Sequence, residues 1–424
     1  MSRKILCLVS QKNKKVKSYN FNPKKYNLKT ENAVPVWIRK ERENNSTFFP
    51  FIPARPLFKT KERMYNRIKN KTMNNINRQQ NVPIFSKEKS LANPYLEFVR
   101  QAMATDFVLQ LNMGQFANDK SAALDALDIV SRLERELSYF IPDSVVGELN
   151  RTEAGIPVFP DEPIYDLFQT CQTLFNQTQG AFDITAGRLW EIWGFSRRAG
   201  QVPAPEEIQA ALETRGEGKL SFLDDVKGVA RTDERTIINL GAIGKGYALD
   251  RASRFLFDCG VTDFLFHGGA SSVIAMGNRT DADGWEIGLH NPLRQTSPEN
   301  RESTRLETIR LHNQALATSG SQTQFFRAEG KRYGHIIDPR TGYPASTLPG
   351  SPVVYSATVI VPVQTPDSQY DLFAAAKADA LATAFYILGP DAAQEYCTNN
   401  QGVEIIFVLP DNKGKLPYRV THIQ

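Results

Sequence analysis

Residues 264–276 read Phe-Leu-Phe-His-Gly-Gly-Ala-Ser-Ser-Val-Ile-Ala-Met, two short apolar runs joined by a turn of glycine, alanine and serine. Apolar runs of this length bounded by turn residues read as β-strands. The same style returns at 285–289, 306–311 and 353–361, and further strands are expected at 105–111 and 403–409. Helical spacing marks 121–140, where Leu124, Leu127, Val130, Leu133 and Leu137 share one side. Helices are also expected over 162–177, 203–212, 246–257 and 369–388. Strands in consecutive groups with helices interspersed predict an α+β fold of mixed, mainly antiparallel sheets with packed helices, not a doubly wound parallel sheet.

The charge is unevenly placed along the 424 residues. Residues 1–90 hold 22 Lys/Arg against 5 Asp/Glu, and the other 334 hold 29 against 41. A basic arm therefore precedes an acidic body. The arm is rich in Asn and Lys and has no clear periodicity, so residues 1–92 are expected to be disordered, with Met64 and Met73 as possible internal starts. Residues 93–424 are expected to be the folded domain. A basic arm is compatible with nucleic-acid or lipid binding, but solvated disorder is the simpler expectation. The opening ten residues have too short an apolar stretch for a secretory signal, which needs roughly 7–15. Cys7 lacks the preceding small residue of a lipoprotein signal. The chain as written is expected in the cytoplasm; a start placed too far upstream would hide an export signal. Four widely spaced cysteines, Cys7, Cys171, Cys259 and Cys397, give neither a zinc site nor a disulfide framework.

Four stretches could carry chemistry. Asp379 and Thr383 lie four apart on one face of an alanine-rich helix. A carboxylate among alanines needs a cation or several donors, and two oxygens at that spacing suit a hard ion such as Mg2+. A helix cap with Thr383 bonding back to the chain is the plainer alternative. Asn239-Leu-Gly-Ala-Ile-Gly-Lys245-Gly-Tyr follows an apolar pair, so a strand running through a Gly-rich turn into a helix would aim N–H groups at phosphate oxygens. It is not a Walker A motif, and an ordinary strand-to-helix turn gives the same pattern. His335-Ile-Ile-Asp338-Pro-Arg-Thr-Gly offers a base or phosphate ligand in His335, or simply a turn opened by Asp338-Pro339. Ala181-Phe182-Asp183-Ile-Thr, with the aromatics to Phe195, could stack on a planar ring or pack a core.

Taken in order, these segments resemble the ApbE-like family, the FAD:protein FMN transferases, from about Ala102 to Leu388. The matching stretches include Met103-Ala-Thr-Asp-Phe, Phe182-Asp-Ile-Thr-Ala-Gly, Leu240-Gly-Ala-Ile-Gly-Lys-Gly-Tyr with Asp250, Ala317-Thr-Ser-Gly, His335-Ile-Ile-Asp-Pro-Arg-Thr-Gly and Asp379-Ala-Leu-Ala-Thr. The resemblance implies an ApbE-like fold and a reaction in which a Thr or Ser hydroxyl of a target protein displaces AMP from FAD and takes up FMN. It implies Mg2+ held by Asp379, Thr383 and the Ala242 carbonyl. It implies an FAD site lined by Met103, Phe140, Ala181, Phe182, Asp183, Asn239, Lys245 and Ile337, with His335 tied to catalysis; His335 or Asp338 would be the base. Phe140 stands where the family usually has Tyr, Asn239 where it has Asp, and His267 where it has Asn. FAD hydrolysis by water, or flavin binding without turnover, would use the same residues. Nucleic-acid binding through the arm is the least favoured reading.

Overall fold

In the computed structural model the described residues are 36–42, 45–51, 85–89, 95–112, 114–115, 119–280, 282–293, 305–321, 324–364, 373–414 and 416–424. The chain forms two compact units, residues 1–81 and 82–424. In the first, β1 (Val36–Arg42) and β2 (Asn45–Phe51) pair antiparallel, Val36 opposite Phe51 and Arg42 opposite Asn45. The arm expected over 1–92 otherwise lies outside the described residues, save β3 (Phe85–Lys89), which belongs to the second unit.

The second unit is built on one large sheet. After β3 come β4 (Tyr95–Ala102) and β5 (Thr105–Asn112), where period-two alternation buries Leu96 and Phe98 on one strand and Phe107, Leu109 and Leu111 on the other. Helices α1 (Asp119–Leu137), α2 (Val145–Arg151), α3 (Glu162–Gln177), α4 (Gly187–Ile192) and α5 (Pro205–Leu212) follow, with the small hairpin β6 (Leu220–Leu223) and β7 (Gly228–Arg231). Next are α6 (Gly244–Asp258), β8 (Phe264–Gly268), β9 (Ser272–Met276), the hairpin β10 (Trp285–His290) and β11 (Arg305–Leu311), and β12 (Gln314–Ser319). A second hairpin, β13 (Phe325–Ala328) and β14 (Lys331–Gly334), precedes β15 (Ser356–Pro362), α7 (Ala374–Leu388), α8 (Pro390–Asn399), β16 (Glu404–Pro410) and β17 (Tyr418–Ile423). The order across the sheet is β17-β16-β15-β12-β9-β8-β5-β4-β3, antiparallel at every step. The expected α+β class with antiparallel sheet is the one observed.

Local chemistry explains the element ends. α1 ends at Leu137, ahead of Pro142, and the Ser144 hydroxyl then accepts from the Gly147 N–H at 2.8 Å to start α2, a helix missed in the sequence because it spans only two turns. The Asp161 carboxylate caps α3 at Ile164, with Pro163 in its first turn. Asn150 at the end of α2 exchanges two hydrogen bonds with the backbone of Ile238, at 2.7 and 2.9 Å, and so fixes the extended segment that feeds the Gly-rich turn. The hairpin β6–β7 was also missed, since four-residue strands give too short a pattern to read, whereas Gly330-Lys-Arg marks the tip of the β13–β14 hairpin, which turns between Ala328 and Lys331.

The helices cover one face of the sheet and make the main core. The hairpin β10–β11 covers the other, where Trp285, Leu289 and Leu311 pack on Val273, Leu316, Ile360 and Ile406. At the centre of the helical layer, α7 is apolar almost all round and correspondingly buried. Two opposed contacts lock it to α6. Asp250 on α6, fully buried, accepts from the Ala375 and Ala376 N–H groups at 2.9 and 2.8 Å, which caps the start of α7. Asp379 on α7 accepts from the Gly246 N–H at 3.1 Å, in the first turn of α6. The helices approach so closely that a Cβ on Gly246 would lie 2.2 Å from the Ala375 carbonyl oxygen.

Gly246→Ala is expected to lower stability by about 1–3 kcal/mol through forced backbone separation. Asp250→Ala orphans two buried donors at about 1–3 kcal/mol each, and Asp250→Asn, which keeps one acceptor, loses less. Urea unfolding of the variants measures this; an unchanged midpoint in Asp250→Ala would mean that the cap contributes nothing.

Candidate active site

The carboxylate that caps α6 is also the centre of a polar cluster. Asp379 is 4% exposed. It accepts from Gly246 N–H at 3.1 Å and Ser272 Oγ at 3.2 Å, and Lys245 Nζ lies 3.3 and 3.4 Å from its two oxygens. All four distances exceed the 2.7–2.9 Å usual for charge-assisted bonds. One turn on, the Thr383 hydroxyl lies 3.0 Å from Ser319 Oγ and 3.3 Å from the Asp379 carbonyl. The back-bond expected from the sequence is therefore present, but Asp379 does not cap its own helix: it lies in the second turn of α7 and serves the first turn of α6 instead. Among the described residues no three His, Cys, Asp or Glu side chains gather as a metal cluster. A cation here would rest on one carboxylate together with hydroxyl and carbonyl oxygens. Asp379, Thr383 and Ala242 offer that set, all line the same cavity, and the loosely held carboxylate keeps lone pairs available.

That cavity measures about 2100 Å³ and opens beside the first turn of α6. Met103, Phe140, Ala181, Phe182, Asp183, Asn239, Lys245, Ile337 and His335 all line it. Met103 and Ala104 form the β4–β5 turn, both left-handed at φ 50° and 59°, with the Met103 N–H donating to Glu134 at 2.6 Å. Phe140 is 67% exposed and stands edge-on to Trp190, 6.1 Å between ring centres. Its neighbour Tyr139 also meets Trp190, at 5.6 Å, and donates to Glu191. Burial first, and then that carboxylate, push the Tyr139 hydroxyl up to about 12, so it stays protonated. A tyrosine hydroxyl is thus present at this rim, one residue before Phe140.

Asp183 sits in the Phe182-Asp-Ile-Thr turn, where one oxygen accepts from the backbone and hydroxyl of Thr185. Its other oxygen is buried without a hydrogen-bond partner among the described residues, and Arg215 is 3.9 Å away. Burial raises its pKa above the usual carboxylate range, against the Thr185 bonds and Arg215. Asn239 uses its side-chain oxygen to accept from the Gly241 N–H at 2.8 Å, which shapes the Gly-rich turn itself.

His335 is half-buried, and its Nδ1 lies 3.1 Å from the Gln324 carbonyl. A carbonyl only accepts, so Nδ1 carries the proton and Nε2 keeps its lone pair. Burial lowers the His335 pKa, the Gln324 carbonyl opposes this, and the charge of Lys245 reinforces it. Asp338 is placed differently. Its carboxylate is gripped by Arg340 through two 2.9 Å bonds and by the Arg340 N–H, also at 2.9 Å, and it does not line the cavity. Of the two candidate bases, only His335 faces the site. The ion pair was legible in Asp338-Pro-Arg340, since a guanidinium two residues on can fold back across the turn.

A family model described as the ApbE family matches residues 103–407. The chain belongs to the ApbE family. The FAD:protein FMN transferase of Salmonella typhimurium is 27% identical over 283 residues, covering 66% of this chain and 74% of that protein. The protein of the same description from Treponema pallidum is 28% identical over 320 residues, covering 70% and 80%. Among solved structures, the ApbE protein from Thermotoga maritima matches with a TM-score of 0.65 at 29% identity, over 78% of this chain and 97% of that one.

Within this ApbE-family site, sequence reading overlooked Ser272 and Tyr139 as site residues. Ser272 lies in the Gly-Gly-Ala-Ser-Ser turn, where a hydroxyl beside a buried carboxylate has no signature of its own. Ser319 was visible only as one of several hydroxyls before Gly320. An imidazole NMR titration should find His335 as the Nδ1–H tautomer with a midpoint below 6.5, moving upward in Lys245→Met. A midpoint at or above 6.5 in the wild-type protein would contradict the burial described.

Proposed function

We propose that this ApbE-family flavin transferase moves FMN from FAD to a Thr or Ser hydroxyl of a target protein, releasing AMP. The observation that carries the reading is the convergence of Lys245, the first turn of α6, Asp379 and the neutral His335 on one cavity. Pyrophosphate chemistry needs charge neutralised on phosphate oxygens and a base for the entering hydroxyl. The α6 N-terminus and Lys245 supply the first, as N–H dipoles and a point charge.

In the proposed step the acceptor oxygen forms a bond to the phosphorus on the FMN side. The bond from that phosphorus to the bridging oxygen breaks, and AMP leaves with the electron pair. The hydroxyl proton passes to Nε2 of His335, whose Nδ1–H is held by Gln324. Asp183 lines the same cavity, where burial raises its pKa against the Thr185 bonds and the charge of Arg215. Met103, Phe140, Phe182 and Ile337 give the flavin ring an apolar lining, with Phe140 free to stack on it. Asp379, Thr383 and the Ala242 carbonyl would hold Mg2+, which would neutralise pyrophosphate charge when bound.

Incubation with FAD, Mg2+ and an acceptor domain modified by a curated relative, followed by intact mass, should show one added FMN. EDTA and Asp379→Ala should abolish the gain. AMP and free FMN without modified acceptor would instead identify water as the acceptor, and intact bound FAD would identify a binding protein. His335→Ala should slow transfer by about 10²–10⁴-fold with FAD affinity retained. Because only the neutral imidazole accepts a proton and its pKa is depressed, the rate should be flat at neutral pH. It should fall only as pH drops below about 6.5, the free imidazole value. That acid limb should vanish in His335→Ala.

A further inference from the structure

Of the aromatic residues leading to Phe195, Trp190 lines the cavity, but Trp193, directly after α4, is fully buried and takes no part in its wall. Its surroundings are two pieces of chain on either side of His335. On the N-terminal side, the β13–β14 hairpin sets Phe326 opposite Tyr333, their rings stacked 5.2 Å apart. Both rings meet the indole, at 6.3 and 5.4 Å between centres. On the C-terminal side, residues 336–345 double back on themselves. There the Asp338 N–H donates to the Tyr343 carbonyl and the Ala345 N–H to the Ile336 carbonyl, both at 2.9 Å. Trp193 Nε1–H donates to the Gly342 carbonyl of that turn at 2.8 Å, and the Tyr343 ring meets the indole at 6.0 Å. One buried side chain thus touches the segments before and after the candidate base.

The hairpin needs such an anchor. β13 and β14 pair only with each other and add no strand to the large sheet. A two-stranded hairpin is marginal alone, so what its side chains pack against decides where it sits. Successive residues of a strand face opposite ways. Phe326 and Tyr333 therefore turn to Trp193, while Phe325, Arg327 and Arg332 turn to the cavity, where Arg332 also donates to the Ser321 carbonyl at 2.6 Å. His335 depends on this placement. Its backbone N–H and its Nδ1–H both reach the Gln324 carbonyl, at 3.2 and 3.1 Å, and Gln324 immediately precedes β13. A shift of the hairpin against the 336–345 turn would misplace the ring and loosen the bond that fixes its tautomer.

We infer that Trp193 is the positioning residue of the base: by holding the hairpin and the turn on one indole, it sets the imidazole of His335 between them at the cavity wall. This rests on the transferase reading, with His335 as base.

The test uses the full chain. Trp193→Phe keeps a ring and loses the donor, and Trp193→Leu loses both. With FAD, Mg2+ and the acceptor domain that the wild-type protein modifies, kcat should fall about tenfold in the first. It should fall about 10²-fold in the second, the cost of roughly 1 Å of misplacement. The KM for FAD should stay nearly unchanged, which also shows that the variants fold; Trp193→Phe carries the test if Trp193→Leu unfolds. In a His335→Ala background neither substitution should lower kcat further, because a displaced base cannot matter where the base is absent. Equal losses in both backgrounds, or an undiminished kcat in both variants, would overturn the inference. Ring-nitrogen NMR of His335 reads the same placement without turnover. The Nδ1–H form of the wild-type protein should give way to a mixture with the Nε2–H form in the variants, and an unchanged tautomer in both would also overturn it. If the wild-type protein modifies no acceptor, the transferase reading falls, and the NMR result alone decides whether Trp193 places the imidazole.

Discussion

Two helices of this protein each lend a carboxylate to the first turn of the other. Asp250 of α6 satisfies the opening N–H groups of α7, and Asp379 of α7 reaches back to Gly246 in the first turn of α6. Free N–H groups at a buried helix end are costly, so each cap is needed for its own sake. Together they fix both the axial register and the separation of the pair, with Gly246 against the Ala375 carbonyl as the point of closest approach. The polar cluster depends on that register. A one-residue slip of α7 would turn Asp379 and Thr383 away from Ser272 and Ser319 and leave a buried carboxylate without donors.

The sheet then divides the chemistry. Successive residues of a strand face opposite sides, so one turn and one strand end, Gly269–Ser272 and Thr318–Gly320, present hydroxyls to both layers. The helical layer sets Lys245 and the N–H dipoles of α6 around Asp379, and the β10–β11 hairpin turns the apolar Trp285, Leu289 and Leu311 to the other face. The same alternation that builds the core thus keeps the two environments apart over a distance of one sheet thickness.

Much of this was legible before any coordinates. Asp379 stood out as a carboxylate among alanines, and the structure gives it a lysine, a backbone N–H and a serine hydroxyl. The Gly-rich run before Lys245 read as a strand-to-helix turn; α6 does start there, at Gly244, but the segment before it makes only an isolated bridge at Ile237 and no strand. Other features were not legible because their meaning depends on residues far along the chain. Asp250 looks like any acid on an amphipathic helix until Ala375 and Ala376 arrive above it, 125 and 126 residues later. Ser272 owes its role to a partner 107 residues away. Asp338 was misjudged for the opposite reason, since its strong local pairing with Arg340 withdraws it from the cavity.

The Met103-Ala104 turn stands apart from these long-range dependences. Two-residue hairpin loops with both residues left-handed are the usual province of Asn-Gly and Gly-Gly, because a Cβ in that region is strained. Here both positions carry side chains, and the Glu134 carboxylate holds the turn by its Met103 N–H. A glycine at 104 would relieve the backbone and let the loop wander; alanine keeps Met103 aimed at the cavity in one conformation. Local strain of this kind persists where it helps order a working surface. Selection for thermal robustness alone would favour glycine in this turn, and there greater stability and a well-ordered binding wall come into conflict.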